Sequence, residues 1–157
     1  MAAAAEQLRA ATSVADLLGR TAESFVQVLD ASACTISRVI GDLLVDLVQH
    51  QRDGKPNRLG HGYLISDYPL TRAVIENREP QRVHAGDAGA DEAETSLLGE
   101  LGFDSLLMLA IESKESAWGL VEVYGKGRRF EDPDVERARA LAVEVGDVLE
   151  RLSPPGQ

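Results

Sequence analysis

Few residues of this sequence could ligate a metal ion or act as a nucleophile. The chain has a single cysteine, Cys34, and three histidines, His50, His61 and His84. Zinc sites use closely spaced ligand pairs, and these residues form none, so we expect no metal. A lone cysteine usually serves as a small buried hydrophobe. Since a Gly-x-Ser-x-Gly nucleophile elbow is also missing, the sequence indicates that the protein is not an enzyme.

A second group of polar and aromatic residues could instead bind a small molecule. Ser37 and Asp46 are expected to lie opposite each other in a hairpin, with Thr35 and His50 on the same side. In one interpretation these side chains form the polar wall of a pocket. In the other they face solvent, since antiparallel sheets often leave one face wet. The candidate ligand-binding residues are Ser37, Asp46, Tyr63, Tyr68, His84 and Met108.

A short acidic cluster consists of Asp87, Asp91, Glu92 and Glu94. Such a cluster could hold a divalent ion. Carboxylates are also favoured at the start of a helix, where the helix dipole is positive. We therefore expect a solvated loop followed by a helix start.

The periodicity of apolar residues predicts the elements that position these side chains. Residues 1–12 are rich in alanine and are expected to be helical. Ser13 then begins an amphipathic helix to about Asp30, because its side chain can cap free backbone amides. Residues 34–40 and 43–51 favour strands, and Gly41-Asp42 between them is typical of a two-residue turn.

That turn determines the expected register of the hairpin. The expected pairs are Ile40 with Leu43, Val39 with Leu44, Arg38 with Val45, Ser37 with Asp46, Ile36 with Leu47 and Thr35 with Val48. The rest of the chain predicts a helix at 68–77, a strand at 81–84, a helix at 91–101 capped by Gly102, strands at 105–112 and 118–124, and a last helix with Asp132 as N-cap and Pro133 as first residue.

The last helix carries a heptad-like apolar stripe. Its members are Ala138, Leu141, Val145, Val148 and Leu152. A stripe of this kind can pack on the protein's own sheet, or it can pair with its copy in a second subunit.

The overall charge restricts the classes of partner. The 157 residues include 16 Lys and Arg against 26 Asp and Glu, a formal net charge of −10. A polyanion binder must neutralise phosphates, so neither nucleic acid nor an anionic membrane surface is expected as a partner. The chain start lacks the basic region of a secretory signal, and no apolar stretch is long enough to span a bilayer. We expect a cytoplasmic protein.

Several local motifs occur in a specific order along the chain. They are Tyr68-Pro69-Leu70-Thr71, Val74-Ile75-Glu76-Asn77-Arg78-Glu79-Pro80, Leu97-Leu98-Gly99-Glu100-Leu101-Gly102-Phe103-Asp104-Ser105-Leu106-Leu107, Trp118-Gly119-Leu120-Val121-Glu122-Val123-Tyr124 and Phe130-Glu131-Asp132. Over roughly Ser13 to Leu152 this order resembles a GAF domain, and it is similar to the modules of bacterial sensor histidine kinases and diguanylate cyclases. Ala110-Ile111 departs from the family, which often has Pro followed by an apolar residue there.

The resemblance implies an α+β fold with a central six-stranded antiparallel sheet. The first and last helices would cover one face, and short helices and loops would cover a ligand pocket on the other. The sixth strand would lie between Asn57 and Leu64. The expected organisation is a helical extension at 1–12, a GAF domain at 13–152 and a tail or linker at 153–157.

The function implied by the resemblance is a non-catalytic sensory or regulatory module of bacterial signal transduction. The module would bind an unknown small molecule, and the terminal helices would relay the binding signal to an output domain in cis or a partner in trans. Because such modules commonly dimerise through these helices, the resemblance favours the stripe as a homodimer interface. The alternative is a dimerisation or protein-interaction module with a vestigial pocket filled by side chains.

Other activities of the family fit the residues less well. The free methionine sulfoxide reductase type needs more than one cysteine. Phytochrome-type domains carry a late chromophore cysteine, and none follows Cys34, so covalent bilin is disfavoured and the cofactor stays unknown. The Asn-Lys-x-Phe-Asp-type constellation of cyclic-nucleotide binders is not found, and Gly60-His61-Gly62 is too short to indicate phosphate. Haem ligation by His61 or His84 is not favoured and stays open.

Overall fold

The elements of the computed structural model follow the expected order over the residues it describes, 1–54 and 62–153. They are α1 (Ala2–Arg9), α2 (Val14–Leu29), β1 (Ala33–Ile40), β2 (Leu43–Gln51), β3 (Gly62–Leu64), a 3-10 turn (Ile65–Asp67), α3 (Pro69–Asn77), β4 (Gln81–His84), α4 (Glu92–Leu101), β5 (Ser105–Ser113), β6 (Ser116–Gly125) and α5 (Asp132–Leu152). None of the helices in this described part is long and apolar enough to cross a membrane.

The six strands form one antiparallel sheet in the order β3-β2-β1-β6-β5-β4. This confirms the expected fold class. The sixth strand is β3, which pairs with β2; the predicted range from Asn57 reaches into residues outside the described part of the chain. Because side chains alternate across a strand, the central strands β1, β6 and β5 present apolar residues to both faces.

Helices α1, α2 and α5 cover one face of the sheet. Their apolar side chains pack against alternate residues of the central strands, including Cys34, Ile36, Val121 and Val123. Leu8 of α1 is fully buried in the same cluster, so the alanine-rich start of the chain is helical and contributes to the core.

The apolar stripe of α5 belongs to this core. Ala138, Leu141, Val145 and Val148 are buried within the single chain, and Leu152 packs against the same cluster. The assignment of the stripe to a dimer interface is therefore corrected: these side chains face their own sheet and α2. A second copy could reach the four buried residues only if they left the core, whereas Leu152 is only partly buried.

The start of α5 also differs from expectation by one residue. Glu131, rather than Asp132, is the N-cap, and the helix begins at Asp132. The reason is a reciprocal capping box, in which the Asp134 carboxylate accepts a hydrogen bond from the Glu131 backbone N–H at 2.8 Å. At the start of α2, Ser13 caps as predicted by accepting from the Asp16 N–H.

The predicted hairpin register is confirmed near the turn, but the prediction is wrong beyond the Ser37–Asp46 pair. Ser37 pairs with Asp46, but the next pair is Ile36 with Val48, so Leu47 is an extra residue in β2. This β-bulge reverses the alternation of the following residues. His50 is therefore not on the side of Thr35, whose partner is Gln49.

Helices α3 and α4 and the 3-10 turn lie over the other face. A second apolar cluster joins them to the sheet, and it includes Val74, Leu98, Leu106, Leu120 and Tyr124. The sheet thus separates two cores, one under the terminal helices and one under the short helices.

The close approach of α5 to the sheet depends on Gly146. A Cβ at this position would lie 2.5 Å from the backbone oxygen of Glu112 on β5, and a backbone atom cannot move aside as a flexible side chain can. Helix α5 can therefore sit at this distance from β5 only with glycine at the contact.

We predict that Gly146→Ala lowers the free energy of unfolding by about 1–3 kcal/mol, because α5 must shift away from β5. The matched control is Gly19→Ala in α2, where an added Cβ meets nothing within 4 Å. That variant should be neutral or stabilised by up to about 1 kcal/mol, since alanine favours helix. Urea unfolding measures both, and equal stabilities would contradict the described contact.

Candidate ligand cavity

A cavity of about 510 Å³ lies between the sheet and the short helices. Its walls come from β1, β2, β3 and β6, from the 3-10 turn, and from α3 and α4. This volume is within the range typical of small-molecule sites, about 300–1,000 Å³. The cavity occupies the face of the sheet opposite to the terminal helices, as the sequence resemblance implied.

Three of the six candidate ligand-binding residues line the cavity, namely Asp46, Tyr63 and Tyr68. Ser37 lies behind one of them: it is fully buried and donates a hydrogen bond to Asp46 Oδ1 at 2.8 Å. The predicted Ser37–Asp46 pair is thus present and faces the cavity side of the sheet.

The other two candidates do not line the cavity. Met108 is fully buried, and its sulfur lies 3.4 Å from the hydroxyl oxygen of Thr71, a cavity residue. His84 is on the edge strand β4, where its Nδ1 lies 2.6 Å from Ser105 Oγ. His84 therefore belongs to the edge of the sheet rather than to the cavity. His61 lies outside the described residues.

The most unusual lining residue is Glu122, in the middle of β6. Its neighbours across the sheet are Thr35 on β1 and Met108 on β5, and its side chain is only 7% exposed. The Tyr124 hydroxyl donates a hydrogen bond to Glu122 Oε2 at 3.0 Å. Burial raises the pKa of Glu122 to about 8, and the nearby carboxyls of Glu94 and Asp46 act in the same direction.

A second buried carboxyl, Glu94, faces the cavity from the first turn of α4. It is 1% exposed and accepts a hydrogen bond from the Thr71 hydroxyl. Burial raises its pKa, and the hydrogen bond from Thr71 opposes that shift. The expectation that the acidic cluster is solvated is therefore wrong for Glu94. It is correct that the cluster starts a helix, since Asp91 caps α4 by accepting from the Glu94 N–H.

Metal binding gains no support from this acidic cluster. Asp87, which precedes the α4 start, forms an ion pair with Arg129 at 2.6 Å instead. Among residues 1–54 and 62–153, no group of three or more His, Cys, Asp or Glu is arranged to hold a metal ion.

Aromatic rings form much of the remaining wall. Tyr63 and Tyr68 meet edge to face, with ring centroids 6.0 Å apart and an interplanar angle of 83°. Phe103 stacks on Tyr124 at 5.1 Å and 26°. Burial raises the pKa of both Tyr63 and Tyr68, so these phenols stay neutral at physiological pH.

The β-bulge in β2 supplies two further polar wall residues, Gln49 and Gln51. Without the extra residue at Leu47, Val48 and His50 would take their place on this face. Gln49 Nε2 donates to the Thr35 hydroxyl at 3.2 Å, which fixes the amide beside the cavity. No sequence signal indicated this bulge.

The single thiol points away from the cavity. Cys34 alternates with Thr35 along β1, is fully buried, and packs in the cluster beneath the terminal helices. Burial raises the pKa of the Cys34 thiol, which keeps it protonated and unreactive.

The fold agrees with comparisons to known proteins. The GAF domain family model matches residues 13–149, and the chain therefore belongs to the GAF domain family. This confirms the resemblance inferred from the motifs. No curated protein sequence matches significantly.

Solved structures with the same fold include chromophore-binding proteins. The chromophore-binding domain of the unusual bacteriophytochrome RpBphP3 from R. palustris matches 96% of this chain with a TM-score of 0.83 and 12% identity. The far-red absorbing dark state of JSC1_58120g3 with bound biliverdin IXa matches 96% with a TM-score of 0.83 and 13% identity. The chromophore-binding domain of a Stigmatella aurantiaca bacteriophytochrome matches 96% of this chain with a TM-score of 0.75 and 14% identity.

The chain spans 59%, 97% and 57% of these three chains, respectively. Such low identities show a common fold only. A neighbour with bound biliverdin nevertheless gives no support to the expectation that a covalent bilin is disfavoured.

We predict that the stability of the domain falls as pH rises from about 5 to about 8. The unfolded Glu122 carboxyl loses its proton near its ordinary pKa of 4.5, whereas the folded one keeps it up to a pKa of about 8. Between these values unfolding releases a proton, which lowers the free energy of unfolding by up to about 1.4 kcal/mol per pH unit. Above the folded value the dependence levels off.

Chemical unfolding of Glu122→Gln tests this prediction. In this variant the free energy of unfolding should lose most of its dependence on pH between about 5 and 8. A smaller part should remain because of Glu94, whose pKa is also raised. Glu92→Gln replaces an exposed residue of α4, so its free energy of unfolding should depend on pH as strongly as that of the wild type. A wild-type stability that is flat from pH 5 to 8 would refute the buried carboxyl.

We further predict that Cys34 reacts with methyl methanethiosulfonate only after unfolding, because it lies under the terminal helices. In a Cys34→Ala background, Thr35→Cys places the thiol on the cavity face one residue later. In the folded protein this thiol should react at least about tenfold faster than Cys34 does in the folded wild type, since small molecules reach the cavity. Mass spectrometry follows both, and equal rates would contradict the assignment of faces.

Proposed function

We propose that this domain is a non-catalytic sensory or regulatory module that holds a small molecule between its sheet and helices α3 and α4. The observation that carries the proposal is the cavity itself. It is about 510 Å³ in volume, and buried carboxyls and aromatic rings line it. A vestigial pocket would be filled by side chains, so this space favours a ligand-binding module over the dimerisation alternative.

The relay of a binding event would use the central strands. In β6, Leu120 and Glu122 face the cavity side, while Val121 and Val123 contact the core under the terminal helices. A ligand that shifts β6 therefore acts at once on the core beneath the short helices and on the core beneath the terminal helices. Binding can change the arrangement of the terminal helices only if the ligand binds one arrangement better than the other.

The output would lie in a domain in cis or a partner in trans, and a homodimer is part of this proposal. Because the α5 stripe is in the core, a dimer would use outward residues such as Val143, which is 63% exposed. The bacterial signalling role follows from the family resemblance.

A bilin is a second candidate ligand, favoured by the structural neighbour with bound biliverdin. The orientation of Cys34 away from the cavity supports a non-covalent rather than a covalent bilin. Mixing the purified protein with biliverdin tests this directly. A shifted absorption band that is equal in wild type and Cys34→Ala, and lost on denaturation, supports it; an unchanged biliverdin spectrum rejects it.

Native mass spectrometry tests the proposed function. We expect wild-type protein to carry a small molecule that is released on denaturation, and the same spectrum to show two subunits. Leu97→Trp should abolish the extra mass, because a larger side chain on α4 fills the cavity. Ile40→Trp, the same bulk at the exposed end of β1 and outside the cavity wall, should retain it.

Two results would count against this proposal. Protein with no releasable mass that is also not stabilised by any compound in a thermal-shift screen of metabolites would reject ligand binding. A wild-type monomer would reject the dimer only.

A further inference from the structure

The charge of the cavity wall is one-sided. Four carboxylic acids line it, from β2, α4 and β6: Asp46, Glu94, Glu100 and Glu122. No Lys, Arg or His is among the wall residues that the structure describes. An anionic ligand would therefore meet acidic groups and no described cation in a site of reduced dielectric, which is unfavourable.

The Glu122 carboxyl reaches the cavity from the middle of β6. The Tyr124 hydroxyl donates a hydrogen bond to Glu122 Oε2 at 3.0 Å. A buried acidic group in a folded protein is normally paired with a cation or with several hydrogen-bond donors. Since Glu122 lines the cavity, a cationic ligand there can donate hydrogen bonds to the carboxyl once it has lost its proton.

The aromatic rings favour the same kind of ligand independently of the carboxyls. Tyr63 and Tyr68 face the cavity as an edge-to-face pair, and Phe103 and Tyr124 form a stacked pair on another part of the wall. The faces of such rings attract organic cations, because the π-electrons form a region of negative potential. They also cover the apolar body of a ligand.

We infer that the cavity takes an organic cation, namely an ammonium group attached to an apolar body, with Glu122 and Glu94 as the counter-charges and the tyrosines around it. This inference rests on the proposed function, since it names the chemical class of the ligand for the same cavity. The ammonium donates hydrogen bonds to the carboxylates, and the apolar body contacts the rings and the leucines of α4.

Three probes that share a phenylethyl group but differ in the charge of the head group test whether charge determines binding. They are 2-phenylethylammonium, 2-phenylethanol and 3-phenylpropanoate. Isothermal titration calorimetry should show that the ammonium binds at least about tenfold more tightly than the alcohol or the carboxylate. Glu122→Gln and Glu94→Gln should each weaken ammonium binding about tenfold or more. Glu92→Gln, exposed on the same helix, should leave it unchanged.

The pH dependence of binding gives a second readout. The titratable groups that face Glu122 are Asp46 on β2, Tyr63 on β3, Tyr68 before α3, Glu94 and Glu100 on α4, Tyr124 on β6 and, across the sheet, Cys34. Because an ammonium prefers the ionised carboxyl, its affinity should rise from about pH 6 to about pH 8.5 and protons should be released on binding. Neutral acceptors and anions should show the opposite dependence.

Each outcome decides the inference. No binding of the ammonium at millimolar concentration, tighter binding of the alcohol or the carboxylate, or affinity unchanged in Glu122→Gln would overturn it. If the alcohol or the carboxylate binds instead, or if the purified protein carries a neutral or anionic molecule, the proposed sensory function stands and only the ligand class is wrong. If no probe binds and no mass is carried, both fail.

Discussion

The cavity is organised around an acidic side chain in the middle of a central strand. Glu122 is flanked by β1 and β5, and its strand packs against helices on both sides of the sheet. Moving a carboxylate out of water costs several kcal/mol unless partners replace the lost hydration. The protein reduces this cost by keeping the carboxyl protonated, by hydrogen bonding it to Tyr124, and by leaving a cavity beside it. Replacing a buried ionisable group by an apolar residue of similar volume is often neutral or stabilising, so the acid fits the ligand-binding role that we propose for the cavity.

In the relay that we propose, the two faces of the sheet connect the cavity to the helices at the chain ends. Alternate residues of β6 belong to different cores: Leu120 lies in the one beneath α3 and α4, and Val121 in the one beneath α2 and α5. At Gly146 the contact of α5 with β5 leaves no room for even one additional carbon atom. A close-packed interface of this kind transmits small displacements of the strands rather than absorbing them. The same contacts explain why the apolar stripe of α5 lies in the chain's own core.

Much of this fold could be predicted from the sequence because its signals are local. Caps such as Ser13, the turn at Gly41-Asp42 and the order of the motifs identify the elements, and the turn also places Ser37 opposite Asp46. The bulge at Leu47 could not be predicted, because it results from how β2 fits the whole sheet. The burial of Glu94 and Glu122 could not be predicted for a related reason, since burial depends on distant contacts. One signal for Glu122 was present: it is in phase with Leu120 and Tyr124 in a strand that is otherwise apolar.

The state of the Glu122 carboxyl connects the fold, the cavity and the class of ligand. Its side-chain ¹³C resonance, followed by NMR from about pH 4 to about pH 10 in the ligand-free protein, gives its pKa directly. Assignment comes from the loss of the signal in Glu122→Gln. We predict a pKa of about 8, because burial disfavours the charged form. A titration at the ordinary value of 4.5 would mean that the carboxyl is solvated or ion-paired, and would contradict the burial of Glu122 beside the cavity.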